Sequence, residues 1–131
     1  MSTSCKSLIV PGLIDSPLKL QLVLLFYRHP RLCGEARRLT DWLRESPWAI
    51  EEALDALVGT NLLARIEPQG RILYRLEPDI ALLAQLEWLV ICYDDPLQRD
   101  EIYALVREAD RERQFRADIA EAEQQMLQAV W

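Results

Sequence analysis

Histidine occurs once in this chain, glycine four times, and the three cysteines, Cys5, Cys33 and Cys92, are an odd number without a C-x-x-C spacing. A zinc ribbon or a disulfide framework is therefore not suggested, and the cysteines read as reduced thiols of a cytoplasmic protein. Metal ligation needs several His or Cys at usable spacing, and His29 has no second histidine to form an H-x-x-x-H pair. No Gly-rich phosphate loop and no G-x-S-x-G elbow occurs, so neither a cofactor nor a catalytic site is expected and the chain reads as a non-enzyme. Long apolar runs are missing too. Leu8 to Leu13 is broken by Pro11 and Gly12, which is too short for a secretory core, and no other run nears the roughly 18 residues that cross a bilayer.

What remains is a chain of 131 residues, half of them hydrophobic and 27% charged, long enough to bury a core without staples. Its net charge of −6 is unevenly spread: residues 1–78 balance at +1, whereas residues 79–131 carry −7. Since affinity for DNA depends on neutralising phosphates, any DNA site must be local, and non-specific binding is expected to be poor.

The order of elements follows from caps and periods. Ser16-Pro17 supplies an N-cap and a proline at the first helical position, opening a helix over 17–28 that is apolar on nearly every side and stops before Pro30. A second helix over 35–44 places Ala36, Leu39, Trp42 and Leu43 on one face. Ser46-Pro47 repeats the opening signal for a third helix, 47–58, whose stripe Ile50, Ala53, Leu54 and Leu57 is buried. At 100° per residue, Trp48, Glu52 and Asp55 then point away from the core. After Gly59-Thr60-Asn61 the period changes to two. Ala64, Ile66, Ile72, Tyr74 and Leu76 alternate with Arg65, Glu67, Arg71 and Arg75, Leu73 alone being apolar on the outer face, and the hairpin turns tightly at Gln69-Gly70. A strongly apolar helix runs from Ile80 to Ile91, and a break at 93–96 precedes a last helix from near Leu97. The divisions expected are an N-terminal arm (1–15), a core domain (16–78) and a helical extension (79–131).

The stretch EARRLTDWLRESPWAIEEALDALVGTNLLARIE, followed by PQGRILYRLEP, resembles the helix-turn-helix core of winged-helix regulators of the broad MarR-like and ArsR-like class, over residues 16–77. That resemblance implies a mainly α fold of three helices plus a β-hairpin wing, with the third helix lying in the DNA major groove. It implies a transcription regulator acting by occupancy of its site. Carried over to this chain, the phosphate contacts fall to Arg37, Arg38, Arg44, Arg71 and Arg75, the bland alternative being solvated arginines paired with Asp41, Glu45 and Glu67. One departure stands out. The outward face of the third helix offers Trp48, Glu51, Glu52 and Asp55, and none of the Arg, Lys, Asn or Gln side chains that usually read G or A edges.

That departure opens a second reading, a protein-interaction module on the same scaffold, with Trp48 as anchor and the acidic helix docking on a basic partner. Trp48 could equally pack beneath the arm or the extension. A small-molecule pocket using Trp42, Trp88 and Tyr93 is a further option without polar residues to specify a ligand. In the last helix Phe115, Ile119, Ala122 and Met126 form a seam of about two heptads. Docked on the chain's own core it would be structural; otherwise it joins the greasy first helix and the Ile80 to Ile91 helix in favouring a homodimer.

Overall fold

The computed structural model describes residues 7–129 of the chain. It is mainly helical with one small two-stranded antiparallel sheet, in the order α1 (Pro17–Arg28), α2 (Ala36–Leu43), α3 (Pro47–Gly59), β1 (Leu63–Ile66), β2 (Leu73–Leu76), α4 (Ile80–Asp94) and α5 (Pro96–Ala129). The order is compatible with a winged-helix arrangement. Cys5 lies outside the described residues.

The local signals act as expected. Ser16 Oγ accepts from the Lys19 N–H and Ser46 Oγ from the Ala49 N–H, both at 3.2 Å, satisfying amides that an uncapped helix would leave open. Asp79 caps α4 in the same way, accepting from the Leu82 N–H at 2.8 Å. The apolar α1 is central: Leu20, Leu22, Val23, Leu24 and Phe26 are all buried, among Leu39 of α2, Ile50, Ala53, Leu54 and Leu57 of α3, and Leu86 and Leu89 of α4. Leu43, expected in this core, is only partly buried against it.

The hairpin departs from the expected one. Its register pairs Leu63 with Leu76, Ala64 with Arg75, Arg65 with Tyr74 and Ile66 with Leu73. Directly paired residues share a face. Ala64 and Ile66 therefore lie on the face opposite Tyr74 and Leu76, and the single inner row expected from the sequence is split. Leu63 and Tyr74 are the buried positions, whereas Ile72 is 42% exposed and outside the strand. The connection explains this. Instead of a two-residue turn, a short 3-10 turn at Pro68–Gly70, with Gln69 at φ 54° and Gly70 at φ 78°, is flanked by extended residues, so β2 begins later. A third segment joins the sheet: Gly34 and Tyr74 exchange both backbone hydrogen bonds at 2.9 Å, tying the entry of α2 to the wing.

The N-terminal arm is part of the core. Leu8, Ile9 and Ile14 are buried, and the fully buried Asp15 fastens the arm to two helices. Its carboxylate accepts from the Gly12 N–H at 2.9 Å and from Lys19 Nζ of α1 at 2.6 Å, with Arg113 Nε of α5 at 3.7 Å. Gly12 stands at φ 93°, a conformation glycine adopts without a Cβ penalty. Cys33 is an exposed free thiol, but Cys92 is buried and disulfide-bonded, which corrects the expectation of three reduced thiols. No helix among the described residues is long and apolar enough to cross a membrane.

Candidate nucleic-acid interface

The outward face of α3 is built as its period dictates. With Ile50, Ala53, Leu54 and Leu57 turned inward, Trp48, Glu51, Glu52 and Asp55 are exposed, and Trp48 at 74% is covered neither by the arm nor by the extension. The carboxylates differ in their surroundings. Asp55 Oδ1 accepts from the Tyr74 hydroxyl of β2 at 3.1 Å, fixing α3 to the wing. The Tyr74 hydroxyl is held above the usual tyrosine range, first by desolvation and then by that carboxylate. Glu52 shares a small cavity of about 270 Å³ with Lys19 and Arg113, and its charge helps to keep Arg113 protonated, behind the larger effect of the Asp110 hydrogen bond. Glu51 lies over the junction of α2 and α3 beside Arg37 and Asp41, and has no ion pair among the described residues.

The arginines proposed from sequence to hold phosphate fall into two groups. Arg37, Arg38 and Arg71 are brought together around Glu35, the residue that precedes α2: Arg71 donates to Glu35 Oε1, and this bond above all holds the Glu35 carboxyl below the ordinary carboxylate range, with Arg38 and Arg37 adding attraction. Arg75, on the stem of the wing, is instead engaged by Glu77 at 3.2 Å through both Nε and Nη2. Arg44 follows α2 in a left-handed conformation at φ 55°. Among the described residues Arg37, Arg38 and Arg44 form no ion pair. Of the three carboxylates expected to pair with arginine, Glu67 does so, with Arg65 at 3.1 Å, whereas Asp41 and Glu45 form no ion pair among the described residues and Arg71 and Arg75 take Glu35 and Glu77 instead.

Glu35, Arg113 and Tyr74 are the members of this surface that sequence reasoning passed over. Glu35 carries the only available signal, an acidic residue at the start of an amphipathic helix opposite a basic hairpin.

The aromatic residues considered for a small-molecule pocket are not gathered into one. Trp42 lines an open groove of about 660 Å³ with Leu25, Arg28, His29, Pro30, Arg31 and Leu32. Tyr93 does not line this groove; the guanidinium groups of Arg28 and Arg99 lie 5.6 and 4.8 Å from its ring centre and Tyr103 meets it edge-on, while Trp88 is half-exposed on α4. His29 is the C-cap of α1, its backbone N–H donating to Leu25 O. Among the described residues no group of three His, Cys, Asp or Glu is placed to hold a metal ion. The seam Phe115, Ile119, Ala122 and Met126 does not dock on the core; every residue from Gln114 to Ala129 is exposed.

No protein-family model, curated protein or solved structure matches the chain.

Proposed function

We propose that this chain is a winged-helix, DNA-binding-type regulatory protein, dimeric through its extension, that acts by occupying its site and holds DNA mainly by the phosphate backbone. The observation that carries this reading is the cluster Arg37, Arg38 and Arg71, gathered around Glu35 at the start of α2, with Arg37 reaching the junction of α2 and α3 and Arg44, at the other end of α2, free of ion pairs among the described residues. Arginine is suited to phosphate because its planar donors match the anion's geometry. The exposed pairs with Glu35 and Glu77 are no obstacle, since such pairs are worth about 0–1 kcal/mol and can exchange for phosphate. Of the α3 carboxylates, Glu52 has two cations close by and Asp55 is turned to the wing, which leaves Glu51, whose neighbour Arg37 is offset by Asp41, as the least compensated repulsion. Base reading by this face would be slight, because its polar residues are acceptors only.

The test is a titration of duplex DNA across salt concentration. Roughly four to six phosphate contacts for a dimer give a log–log slope near −4 to −5. Replacing Arg37, Arg38 and Arg71 together by alanine should flatten the slope and weaken all sequences alike, whereas Glu51→Gln should tighten binding. Absence of saturable binding at low salt would overturn the reading.

A second reading has its own observation. Trp48, at 74% exposed beside Glu51, presents the large aromatic and the acidic rim of a surface for a basic protein partner. It predicts that Trp48→Ala abolishes partner capture with the fold intact.

A further inference from the structure

The last buried residue of α5 is Ala109, yet the helix continues to Ala129, about 30 Å further at roughly 1.5 Å per residue. A helical segment of this length exposed on all sides is marginal in water unless an apolar face is covered. Phe115 and Met126 are 63% and 69% exposed, with Ile119 and Ala122 between them at alternating spacings of four and three. The seam is closed upstream by Glu112 and Glu108, which occupy its next two positions.

Resting on the dimeric reading above and naming its surface, we propose that this seam is the contact between two copies of the chain, and that the two α5 helices cross it antiparallel, about a two-fold axis between Ala120 and Glu121. The seam itself suits that axis: Phe115 meets the partner's Met126, and Ile119 meets the partner's Ala122. Charge decides the direction. In a paired helix seam the residues flanking the apolar positions meet across the interface and set orientation. Antiparallel, Arg116 faces the partner's Glu123, twice by symmetry, and Asp118 faces the uncharged Gln125 of the partner subunit. Parallel, Asp118 faces the partner's Glu123, two like-charge contacts with no compensating pair. Glu123 is free to act in this way, since the residues three and four positions from it, Ala120, Ile119, Met126 and Leu127, carry no charge, and Arg116, whose ion pair with Glu112 is exposed to solvent, has further donors to offer a second carboxylate. A seam of two heptads is smaller than a standard interface, so the dimer is expected at micromolar concentration.

Sedimentation equilibrium of the full chain at low salt tests the assignment, with far-ultraviolet circular dichroism to confirm that each variant is folded. Glu123→Arg should raise the dissociation constant by about tenfold, because it sets Arg116 against a second cation in both symmetry-related contacts. Combining it with Arg116→Glu should restore the affinity to within about twofold. A dimer tightened by Glu123→Arg alone would overturn the antiparallel direction, since in the parallel pair that arginine meets Asp118. A dimer indifferent to every charge change would overturn the use of this seam while leaving the dimeric reading intact, and the exposed stripe Ile80, Leu83, Trp88 and Ile91 of α4 would then take its place. A wild-type chain that stays monomeric to about 100 µM would remove both.

Discussion

Asp15→Ala should destabilise the protein by about 3–5 kcal/mol, the range for removing one partner of a buried ion pair. Asp15 is fully buried and Lys19 is 12% exposed, so their 2.6 Å contact is shielded from solvent. Alanine removes that charge-assisted bond and the 2.9 Å bond from the Gly12 N–H, each worth about 1.5–3 kcal/mol. Arg113 adds little, because it is 39% exposed and keeps its 2.6 Å bond to Asp110. Asp15→Asn preserves an acceptor for the Gly12 amide while losing the charge, and should cost about half as much. Equilibrium urea unfolding is the assay: at a slope of about 1.5–2 kcal/mol/M, alanine moves the midpoint by about 2 M. A loss below about 1 kcal/mol would mean that the arm is not fastened through this carboxylate, and an asparagine as damaging as alanine would shift the weight from charge to shape.

Leu54→Ala should cost about 2–5 kcal/mol by opening a cavity beneath α3, and a change under about 0.5 kcal/mol in the same urea assay would refute the packing described for it. The Tyr74 hydroxyl, raised by desolvation and by Asp55, favours the neutral form in the folded state; its contribution is complete below the ordinary tyrosine value of about 10 and is lost as pH rises past it. Urea midpoints between pH 8 and 11 should therefore fall less steeply in Tyr74→Phe than in the wild type. If α5 pairs as proposed, the two Arg113 residues lie about 22 Å apart along the shared axis, with each α3 on the body side of its own Arg113. DNA carrying half-sites one helical turn apart, about 34 Å, should then bind more tightly in a footprinting titration than DNA with a half-turn more between them.

The elements legible in the sequence were those whose determinants are local. Ser16-Pro17 and Ser46-Pro47 mark helix starts because capping and proline geometry act within one turn, and the stripe Ile50, Ala53, Leu54 and Leu57 follows from helical period alone. Features made by distant contacts left no such trace. Leu8, Ile9 and Ile14 have no period because the arm forms no regular element, yet they are buried by what packs over them. The bridge between Gly34 and Tyr74 is a single residue pair, too short for any alternation. The hairpin register does not follow from the sequence, because strand period gives which residues share a side but not how many the connection consumes. With residues 67–72 outside the strands, the pairing shifts and Ile72 is turned outward.

The same distinction governs the candidate interface. Rotation by 100° per residue establishes that Trp48, Glu51, Glu52 and Asp55 leave the core, but a helix has more than one outer side and its neighbours are chosen by tertiary packing. Here β2 approaches one flank of α3 and engages Asp55, while α5 approaches the other and sets Arg113 near Glu52. The strip between them carries Trp48, and Glu51 lies beyond Asp55, toward Arg37 and Asp41 of α2; neither flank engages these two residues through a hydrogen bond or an ion pair. Glu52 has Lys19 and Arg113 beside it, whereas the Arg37 beside Glu51 is offset by Asp41, so the repulsion a phosphate would meet is greatest at Glu51, and neutralising that residue should change DNA affinity more than neutralising Glu52. If Glu52→Gln proves the more effective change, α5 does not screen that flank in solution, and its Arg113 must be placed elsewhere.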